Sequence, residues 1–389
     1  VLVTNVKTGK IISYQGNVTG LGFNHNEAVD IVHAPRSSGS ILKPFLYCQA
    51  FDEGFITPHT LLPDIPTHYK GYTPQNYVQS FAGAVPANKC LAKSLNIPAV
   101  RLLEKVELNN FYHKLKALEI NTLTQPANHY GLSLVLGGAE TSLWDLNKAY
   151  RKIAWQANQH KKQDVYPSVS LKPEKTIIPF YADFNQGAIN LTLNSMLEVI
   201  RPDEESNWKM FTSSRKVAWK TGTSFGFRDA WAIGITPEYV VSVWVGNASG
   251  EGRPGIVGVE AAAPVLFDVY NLLPQSSWFK EPLNDFETFK ICKESGFKAG
   301  NNCPNPQNIQ LNKQAKDVGI CPFHRLIHLN KEQTHQVNSD CYTTFDMKKT
   351  SWFVLPNLME HYYKISHANY KVLPPLLPKC CSTNNSDIM

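Results

Sequence analysis

The sequence lacks several features that define whole classes of protein. None of its apolar runs reaches the roughly 18 residues that a membrane-spanning helix requires, and its 23 glycines and 25 prolines follow no period. Charged residues make up only 18% of the chain, and the net charge of +6 is spread out, with no dense lysine or arginine tract. These absences exclude a membrane-spanning helix and a fibrous fold, and we expect no nucleic-acid partner.

The chain does contain enough apolar material to fold. Hydrophobic residues make up 43% of its 389 residues, which excludes a mainly disordered state, and the length predicts about two to three domains. The periodic apolar pattern ends near residues 275–285, after which cysteines, asparagines and prolines are spaced along the chain. We therefore predict a domain at residues 1–280 and a cysteine-bearing segment at residues 281–389, incomplete at its end.

Local patterns in the first part of the chain predict an α+β fold. Two apolar runs around a glycine-containing turn predict a hairpin over residues 1–14, and three strand-like runs follow closely at residues 216–223, 230–235 and 239–245. Such short connections imply antiparallel neighbours. Helical spacing of apolar residues predicts helices, with Thr141 as a candidate cap, at residues 40–51, 91–118, 141–155, 188–200 and 261–272.

Ser40 and Lys43 form a Ser-x-x-Lys motif at the start of the first predicted helix. Residues three apart on a helix share a face, so a neutral Lys43 amine can take the proton of the Ser40 hydroxyl. A lysine pKa of about 10.4 must fall by about three units for this role near neutrality, and burial with a second cation nearby lowers it. The spacing alone is weak evidence, because it also begins, without expected function, at Ser206, Ser213, Ser277 and Ser295.

Two triplets follow the Ser-x-x-Lys motif along the chain. The first is Ser94-Leu95-Asn96, and the second is Lys220-Thr221-Gly222, which ends an apolar strand and continues into Thr223 and Ser224. The glycine of the second triplet predicts close approach of a substrate to the strand edge. Another Lys-Thr-Gly triplet begins at Lys7, where the hairpin turn is a sufficient explanation.

The three motifs in this order resemble the transpeptidase domain of the bifunctional, class A penicillin-binding proteins. The resemblance includes the segments around the motifs, at Gly39–Phe45, Lys93–Val100, Lys220–Ser224, Phe227–Trp231 and Val243–Asn247. One branch of the family is indicated by Leu62–Tyr77, Leu136–Glu140, Cys321–Arg325 and Trp352–Tyr363. Ile41 departs from the family, which often has threonine there, but the position is not a catalytic one.

The resemblance implies an antiparallel five-stranded sheet flanked by helices, a small cysteine-bearing C-terminal segment, and an acyl-serine reaction. Ser40 would attack the carbonyl between the two terminal D-alanines of a peptidoglycan stem peptide, with Lys43 as the general base. Ser94 would relay a proton to the leaving amine, Asn96 would hold the substrate amide, and Lys220 completes the catalytic set. Penicillins would acylate the same serine, and no cofactor is implied. The implied substrate-binding residues are Tyr72, Asn76, Thr221, Gly222, Thr223 and Ser224.

Alternatives to this interpretation remain open from the sequence. The same motifs serve D-alanyl-D-alanine carboxypeptidases and β-lactamases, and a β-lactamase also needs a glutamate that activates water, for which Glu140 is a candidate. A non-catalytic β-lactam sensor has to be distinguished from all three. For Tyr72 and Asn76, packing of an ordered loop explains the residue types as well as substrate binding does.

The start of the chain is unusual for a complete protein. Val1 is not methionine, and no signal peptide is recognisable, so we expect a piece of a longer protein. The resemblance implies an upstream membrane helix and glycosyltransferase domain, and a small β-rich domain downstream. It implies a place on the periplasmic face of the inner membrane, with peptidoglycan stem peptides and β-lactam antibiotics as partners and membrane contact only through the upstream anchor.

The C-terminal segment contains four spaced cysteines, Cys292, Cys303, Cys321 and Cys341. An even number of cysteines in a small, loop-rich region predicts two disulfides if the compartment is oxidising. Zinc is the competing interpretation, because Cys321-x-x-His324 offers two ligands, but the segment has no Cys-x-x-Cys knuckle. We therefore assign no metal from the sequence, and Cys380 and Cys381 have no predicted partner.

Overall fold

The computed structural model describes residues 1–20, 26–69, 71–158, 165–170, 177–179, 184–202 and 215–381. The strands are β1 (Leu2–Asn5), β2 (Ile11–Tyr14), β3 (Arg36–Ser37), β4 (Leu61–Asp64), β5 (Gly83–Pro86), β6 (Glu140–Thr141), β7 (Val165–Pro167), β8 (Ile177–Pro179), β9 (Ala218–Thr223), β10 (Asp229–Ile235), β11 (Tyr239–Gly246), β12 (Phe286–Cys292), β13 (Pro306–Asn312), β14 (His324–Leu329) and β15 (Lys348–Phe353). The helices are α1 (Lys43–Asp52), α2 (Ala87–Ala92), α3 (Asn96–Val106), α4 (Leu108–Ala117), α5 (Ala127–Tyr130), α6 (Leu143–Asn158), α7 (Gln186–Met196), α8 (Ala263–Leu272) and α9 (Asn357–Ser366). Within the described ranges, no helix combines the length and apolarity needed to cross a bilayer. The Ser-x-x-Lys copies at Ser206 and Ser213 lie outside the described residues.

A five-stranded sheet in the order β2-β1-β11-β10-β9 organises the fold. Each of its four strand pairs is antiparallel. The predicted hairpin at the start of the chain supplies β1 and β2, and the three closely spaced runs supply β9 to β11. The α+β fold with an antiparallel five-stranded sheet is thus confirmed, and β9 lies at one edge of the sheet.

The sheet is buried on both faces because its side chains alternate between two apolar cores. Leu2 and Trp231 point into the larger core, together with side chains of α1, α3, α4, α6 and α7. Val3 and Trp219 point into the smaller core, which α8 covers on the opposite face. This double burial explains why β10 and β11 have nearly continuous apolar sequences instead of alternating ones.

Helix α1 runs through the larger core, and every residue from Lys43 to Phe51 is buried. Pro44 stands in its first turn, where a missing N–H costs no intrahelical hydrogen bond. The helix begins at Lys43, three residues after the predicted start, because Ser40 lies in a preceding turn. The Lys43 N–H donates to the Ser40 carbonyl at 3.2 Å, and such an i to i+3 turn keeps both side chains on one side.

Two other helix predictions are corrected by the structure. The single helix predicted over residues 91–118 is three helices, α2 to α4, because Ser94 and Glu107 adopt positive φ angles of 56° and 71° between them. Helix α6 is capped by Ser142, whose Oγ accepts the Asp145 N–H at 3.0 Å, and not by the neighbouring Thr141.

Residues 281–381 form two hairpins, β12–β13 and β14–β15, followed by α9. They pack directly against the preceding part of the chain. Ile291 and Leu311 join the larger core, and Leu61 of β4 shares a third apolar cluster with Phe323 and Met359. The change of pattern near residue 280 therefore does not separate two independent cores, and the domain boundary there stays a prediction.

The cysteines of this segment are not paired as predicted. A disulfide joins Cys341 to Cys380, a residue for which the sequence suggested no partner. Cys292, Cys303 and Cys321 carry free thiols. The prediction of two disulfides among the four spaced cysteines is therefore wrong, because Cys341 finds its partner further along the chain and leaves three thiols together.

We predict that a buried amide on α6 contributes strongly to stability. Asn147 accepts from Thr4 Oγ1 at 2.8 Å and donates to Ser242 Oγ at 2.9 Å, so it joins α6 to two strands of the sheet. Asn147→Leu leaves two buried hydroxyls without this partner and should lower the free energy of unfolding by about 2–4 kcal/mol. Urea denaturation measures the change.

The matched control is Asn109→Leu, the same substitution at an exposed position of α4. It should change the free energy of unfolding by less than about 0.5 kcal/mol. Equal losses for the two variants would show that the Asn147 hydrogen bonds contribute nothing specific.

Candidate active site

Ser40 lies in a tight turn that is pressed against the edge strand β9. Gly39 has a φ of 51°, and a Cβ on it would lie 2.7–2.8 Å from backbone atoms of Thr223. Only glycine therefore fits at position 39, directly before Ser40. Trp231 Nε1 donates to the Ser37 carbonyl at 2.8 Å and holds the start of this turn. The sequence predicts Trp231 as part of a family segment that packs between strands and helices, and the structure adds this positioning contact.

Gly222 also serves the contact between the turn and the strand. A Cβ at this position would lie 2.8 Å from the Ser38 carbonyl oxygen and 3.2 Å from the Ile41 nitrogen. The structure thus requires a glycine at this position of β9, as the sequence predicts. The group that approaches Gly222 closely is the turn around Ser40.

Two buried lysines meet beside this turn. Lys43, on α1, is 0% exposed and Lys220, on β9, is 1% exposed. The Lys43 amine donates to the Ser94 carbonyl and to Asn96 Oδ1, both at 2.7 Å. The Lys220 amine donates to Ser94 Oγ at 2.8 Å and to the Thr221 carbonyl at 2.7 Å. The four acceptors are neutral oxygens, so these contacts solvate the amines without supplying a compensating negative charge.

The environment of the two amines lowers their affinity for protons. Burial lowers the pKa of Lys43 well below the usual lysine range, and the charge of Lys220 lowers it further. Burial alone lowers the pKa of Lys220 to about 7. A buried pair of like charges is also unfavourable. Both effects favour the neutral form of Lys43, which has a lone pair with which it can accept a proton.

Ser94 joins the two lysines through one residue. It has a φ of 56°, and the left-handed conformation costs a residue with a side chain roughly 1–2 kcal/mol. Its N–H donates to the Leu91 carbonyl at 3.1 Å, which ends α2. In this conformation its carbonyl faces Lys43 while its hydroxyl faces Lys220. A strained residue at the meeting point of three motifs marks a functional constraint.

Asn76 holds the start of α3, where Asn96 is the first residue. Its Oδ1 accepts the backbone N–H groups of Asn96 at 2.9 Å and Ile97 at 3.3 Å. Helix α3 has no side-chain cap of its own, so this distant amide replaces one. The Asn76 Nδ2 donates to Asp64 Oδ1 at 2.7 Å, and the side chain is 7% exposed. These contacts position Asn76 behind the site, and binding of substrate by its side chain stays a prediction.

Asp64 is a residue that the sequence analysis missed. It ends β4, is buried, and accepts the Ala82 N–H at 2.9 Å with its second carboxylate oxygen. The available signal was a carboxylate two residues after the apolar pair Leu61-Leu62. Acidic side chains are buried only when their oxygens are satisfied.

Thr221 and Thr223 alternate with Lys220 along β9, so their side chains lie on the other face of the strand. Both threonines are half-buried. Thr223 Oγ1 accepts the N–H of Gly258 at 3.0 Å, which ties the strand to the following π-helical turn. The predicted contact of these hydroxyls with a substrate stays a prediction.

Ser224 and Tyr72 have identifiable structural contacts. Ser224 is buried, and its Oγ accepts the Asp229 N–H at 2.9 Å across the β9–β10 turn. Tyr72 exchanges two backbone hydrogen bonds with Tyr69, of 2.8 and 2.9 Å, and its ring packs against the larger core. These contacts position the loop and the turn, and binding of substrate by either side chain stays a prediction.

Comparison with known sequences identifies the family. The family described as "Penicillin binding protein transpeptidase domain" matches residues 1–266. Penicillin-binding protein 1C of Escherichia coli (strain K12) is 36% identical over 245 residues, which cover 63% of this chain and 30% of that protein. This similarity confirms the predicted resemblance to the penicillin-binding protein 1C branch, which Leu62–Tyr77 and the accompanying segments indicated. Penicillin-binding protein 1A of Rickettsia typhi is 27% identical over 305 residues, covering 70% of this chain and 38% of that protein.

Solved structures share the fold. Penicillin-binding protein 1A from Haemophilus influenzae has a TM-score of 0.60 and 16% identity, covering 80% of this chain and 52% of that chain. PonA1 from Mycobacterium tuberculosis, in complex with penicillin V, has a TM-score of 0.55 and 18% identity, covering 71% of this chain and 79% of that chain. The chain spans only about a third of the length of the two curated relatives. Because the family match extends over residues 1–266 of 389, the chain belongs to the penicillin-binding protein transpeptidase family.

Proposed function

We propose that the chain is a serine-type D-Ala-D-Ala transpeptidase that cross-links peptidoglycan stem peptides through an acyl intermediate on Ser40. The observation that supports this most directly is the pair of buried lysines that meet at Ser94 beside the Ser40 turn. A lysine whose pKa is lowered by burial can activate a serine, whereas an ordinary exposed lysine is protonated near neutrality and cannot.

The proposed reaction begins when the neutral Lys43 amine takes the proton of Ser40 Oγ. The oxygen attacks the carbonyl between the two terminal D-alanines, and the resulting oxyanion accepts the backbone N–H groups of Ser40 and Thr223. Each such donor contributes on the order of 10²–10³ in rate. The carbon–nitrogen bond breaks as Ser94, hydrogen-bonded to Lys220, passes its hydroxyl proton to the leaving amine. Ser94 regains a proton from the Lys43 ammonium, which becomes neutral again. An amine of a neighbouring stem then attacks the acyl-serine, and Ser40 recovers its proton.

In this proposal, Lys220 binds the terminal carboxylate of the substrate and Asn96 binds a substrate amide. Lys220, when protonated, attracts the terminal carboxylate, which raises the pKa of its amine again, and Thr221 and Thr223 add hydroxyl donors. Asn96 Nδ2 has two hydrogens, of which one donates to the Gln75 carbonyl at 2.8 Å, so the second can bind the substrate amide. Gly222, Ser224, Tyr72 and Asn76 are assigned to positioning.

Penicillins are proposed to acylate the same serine. PonA1, which shares the fold, has been solved in complex with penicillin V. For the whole protein we propose an upstream membrane anchor and glycosyltransferase domain, and a place on the periplasmic face of the inner membrane. In that setting the partners are the stem peptides and β-lactam antibiotics.

Ser40→Ala should abolish the covalent adduct that a penicillin forms with the chain. The alanine has no nucleophilic oxygen, so intact-mass spectrometry should find a stoichiometric adduct on the wild type and none on the variant. Ser277→Ala is the matched control, because Ser277 begins another Ser-x-x-Lys copy but is exposed. An adduct that persists on Ser40→Ala would contradict the assignment.

A second measurement separates the transpeptidase from its alternatives. A stem-peptide donor and an amine acceptor should give a cross-linked product that requires Ser40. Hydrolysis of the donor alone would indicate a carboxypeptidase, and a lasting penicillin adduct with no turnover of the donor would indicate a sensor. Rapid penicillin hydrolysis without an adduct would indicate a β-lactamase.

The acylation rate should decline on acidification. Burial and the neighbouring Lys220 charge lower the pKa of Lys43, so the neutral base persists below the ordinary lysine range and is lost as the pH falls through this lowered pKa. Stopped-flow measurement with a fluorescent penicillin should give an acidic midpoint of the rate constant well below the ordinary lysine pKa. A rate that keeps rising with a midpoint near the ordinary lysine pKa would contradict this base.

Lys220→Ala tests the cause of the lowered pKa. Removing the second cation should raise the pKa of Lys43, so the acidic midpoint of the rate profile should move to higher pH, whatever happens to the limiting rate. Lys93→Ala is the matched control, since Lys93 adjoins Ser94 but is exposed to solvent. Its midpoint should move by less than about 0.3 unit, because solvent screens exposed charges.

Asn76→Ala should slow acylation without touching any reacting atom. Two N–H groups of α3 lose their acceptor, and Asn96 is no longer held against Lys43. We expect a loss of about 1–2 kcal/mol in stability and about a 10- to 100-fold lower acylation rate. Asn88→Ala is the control, because Asn88 is equally buried but bonds Glu198 away from the lysines. Equal rate losses at matched stability would exclude a positioning role for Asn76.

A further inference from the structure

Four potential metal ligands converge in the C-terminal segment. Cys292 ends β12, Cys303 precedes β13, Cys321 precedes β14, and His324 begins β14. Their ligand atoms all lie within 4.8 Å of one another. The Nδ1 atom of His324 lies 3.4 Å from the sulfur of Cys292, 3.6 Å from that of Cys303 and 3.4 Å from that of Cys321. One imidazole nitrogen is thus at nearly the same distance from three sulfurs.

These distances match those between ligands around one tetrahedral ion. A Zn–S bond of about 2.3 Å and a Zn–N bond of about 2.05 Å, at the tetrahedral angle, place sulfur and nitrogen about 3.6 Å apart. A disulfide instead pairs two sulfurs and needs no imidazole between them. Three thiols cannot all be paired with one another, whereas three thiolates and one imidazole complete a four-coordinate site.

The surroundings of the cluster also have the arrangement of an outer shell. The Nε2 atom of His324 faces the carboxylate of Glu294 at 3.4 Å, and a metal-bound histidine commonly directs its second nitrogen to a carboxylate. Ser295 Oγ donates to the sulfur of Cys321 at 3.1 Å, and the Gly300 N–H donates to the sulfur of Cys303 at 3.3 Å. Such donors stabilise thiolates, the form in which cysteine binds a metal.

We propose that Cys292, Cys303, Cys321 and His324 bind one Zn²⁺ ion in a closed structural site. The three thiols release three protons when they bind the ion, and His324 coordinates through Nδ1 as a neutral imidazole. All four positions are filled by the protein, so no position is open for a water or a substrate, and the site is structural instead of catalytic.

The redox state of the segment supports this assignment. The Cys341–Cys380 disulfide belongs to the same segment, and stable disulfides are typical of oxidising compartments. Three neighbouring thiols in such a compartment would oxidise unless a bound ion protected them. A zinc site therefore explains how one segment contains both a disulfide and three reduced cysteines.

The cluster also positions the segment on the transpeptidase domain. The turn after Cys292 brings the Ser295 carbonyl to the Leu61 N–H at 2.9 Å and the Gly296 carbonyl to Thr57 Oγ1 at 2.8 Å. A bound ion would fix the shape of this turn and thereby its contact with the start of β4.

Metal analysis of the full chain, expressed with zinc and purified without chelator, should find about one zinc per chain. Replacing zinc with Co²⁺ should give the visible absorption and the sulfur-to-cobalt charge-transfer band of a tetrahedral thiolate site. Thiol labelling should modify Cys303 only after a strong chelator has removed the metal. Metal-free wild type with a disulfide between two of the three cysteines would overturn the proposal.

Cys303→Ala tests the ligand set at the least buried of the three cysteines, and it should lower the zinc content at least about tenfold. The paired substitution Cys341→Ser with Cys380→Ser is the matched control, because it removes two sulfurs of the same segment outside the cluster. The control should keep its zinc, and an unchanged zinc content in Cys303→Ala would refute the site. The cobalt spectrum needs no variant, so it decides the question if Cys303→Ala fails to fold.

Discussion

Burial of the Lys43 amine among neutral oxygens is the interaction on which the site depends. Water would stabilise the ammonium form, and a carboxylate would stabilise it further, so either would leave the lysine unable to accept a proton. The Ser94 carbonyl and Asn96 Oδ1 satisfy the hydrogen bonds of the amine without a negative charge. The cost of burying this polar group is offset by the large apolar core around α1.

The surrounding structure keeps those neutral oxygens in place. The strained conformation of Ser94 directs its carbonyl to one lysine and its hydroxyl to the other, and Asn76 holds the start of α3 from a separate loop. Asp64, at the end of β4, accepts a hydrogen bond from the Asn76 amide. Leu61, at the start of β4, donates its N–H to the Ser295 carbonyl in the C-terminal segment. Strand β4 therefore connects the two sites, with a hydrogen bond toward the cysteine cluster at its start and one toward the lysine pair at its end.

The parts of this molecule that were predictable from sequence are those encoded by local pattern. Apolar periodicity placed the five strands of the sheet, and the motif order pointed to Lys43, Ser94 and Lys220, which hydrogen bonds join in the structure. The errors arose where tertiary contacts replace local signals. Helix α3 is capped by Asn76, twenty residues earlier in the chain. The local sequence around Asn76 or Asn96 does not predict that pairing.

The order of amino acids is enough to identify the family and to predict the reactive groups, because motif spacing and residue type are properties of the chain. The protonation of Lys43 is not such a property, since it arises from desolvation and from a second cation that folding brings from β9. The partners of the cysteines likewise depend on which loops meet in space. Cys341 pairs with Cys380, and three other cysteines surround His324. In both cases, segments that are distant along the chain meet in the fold.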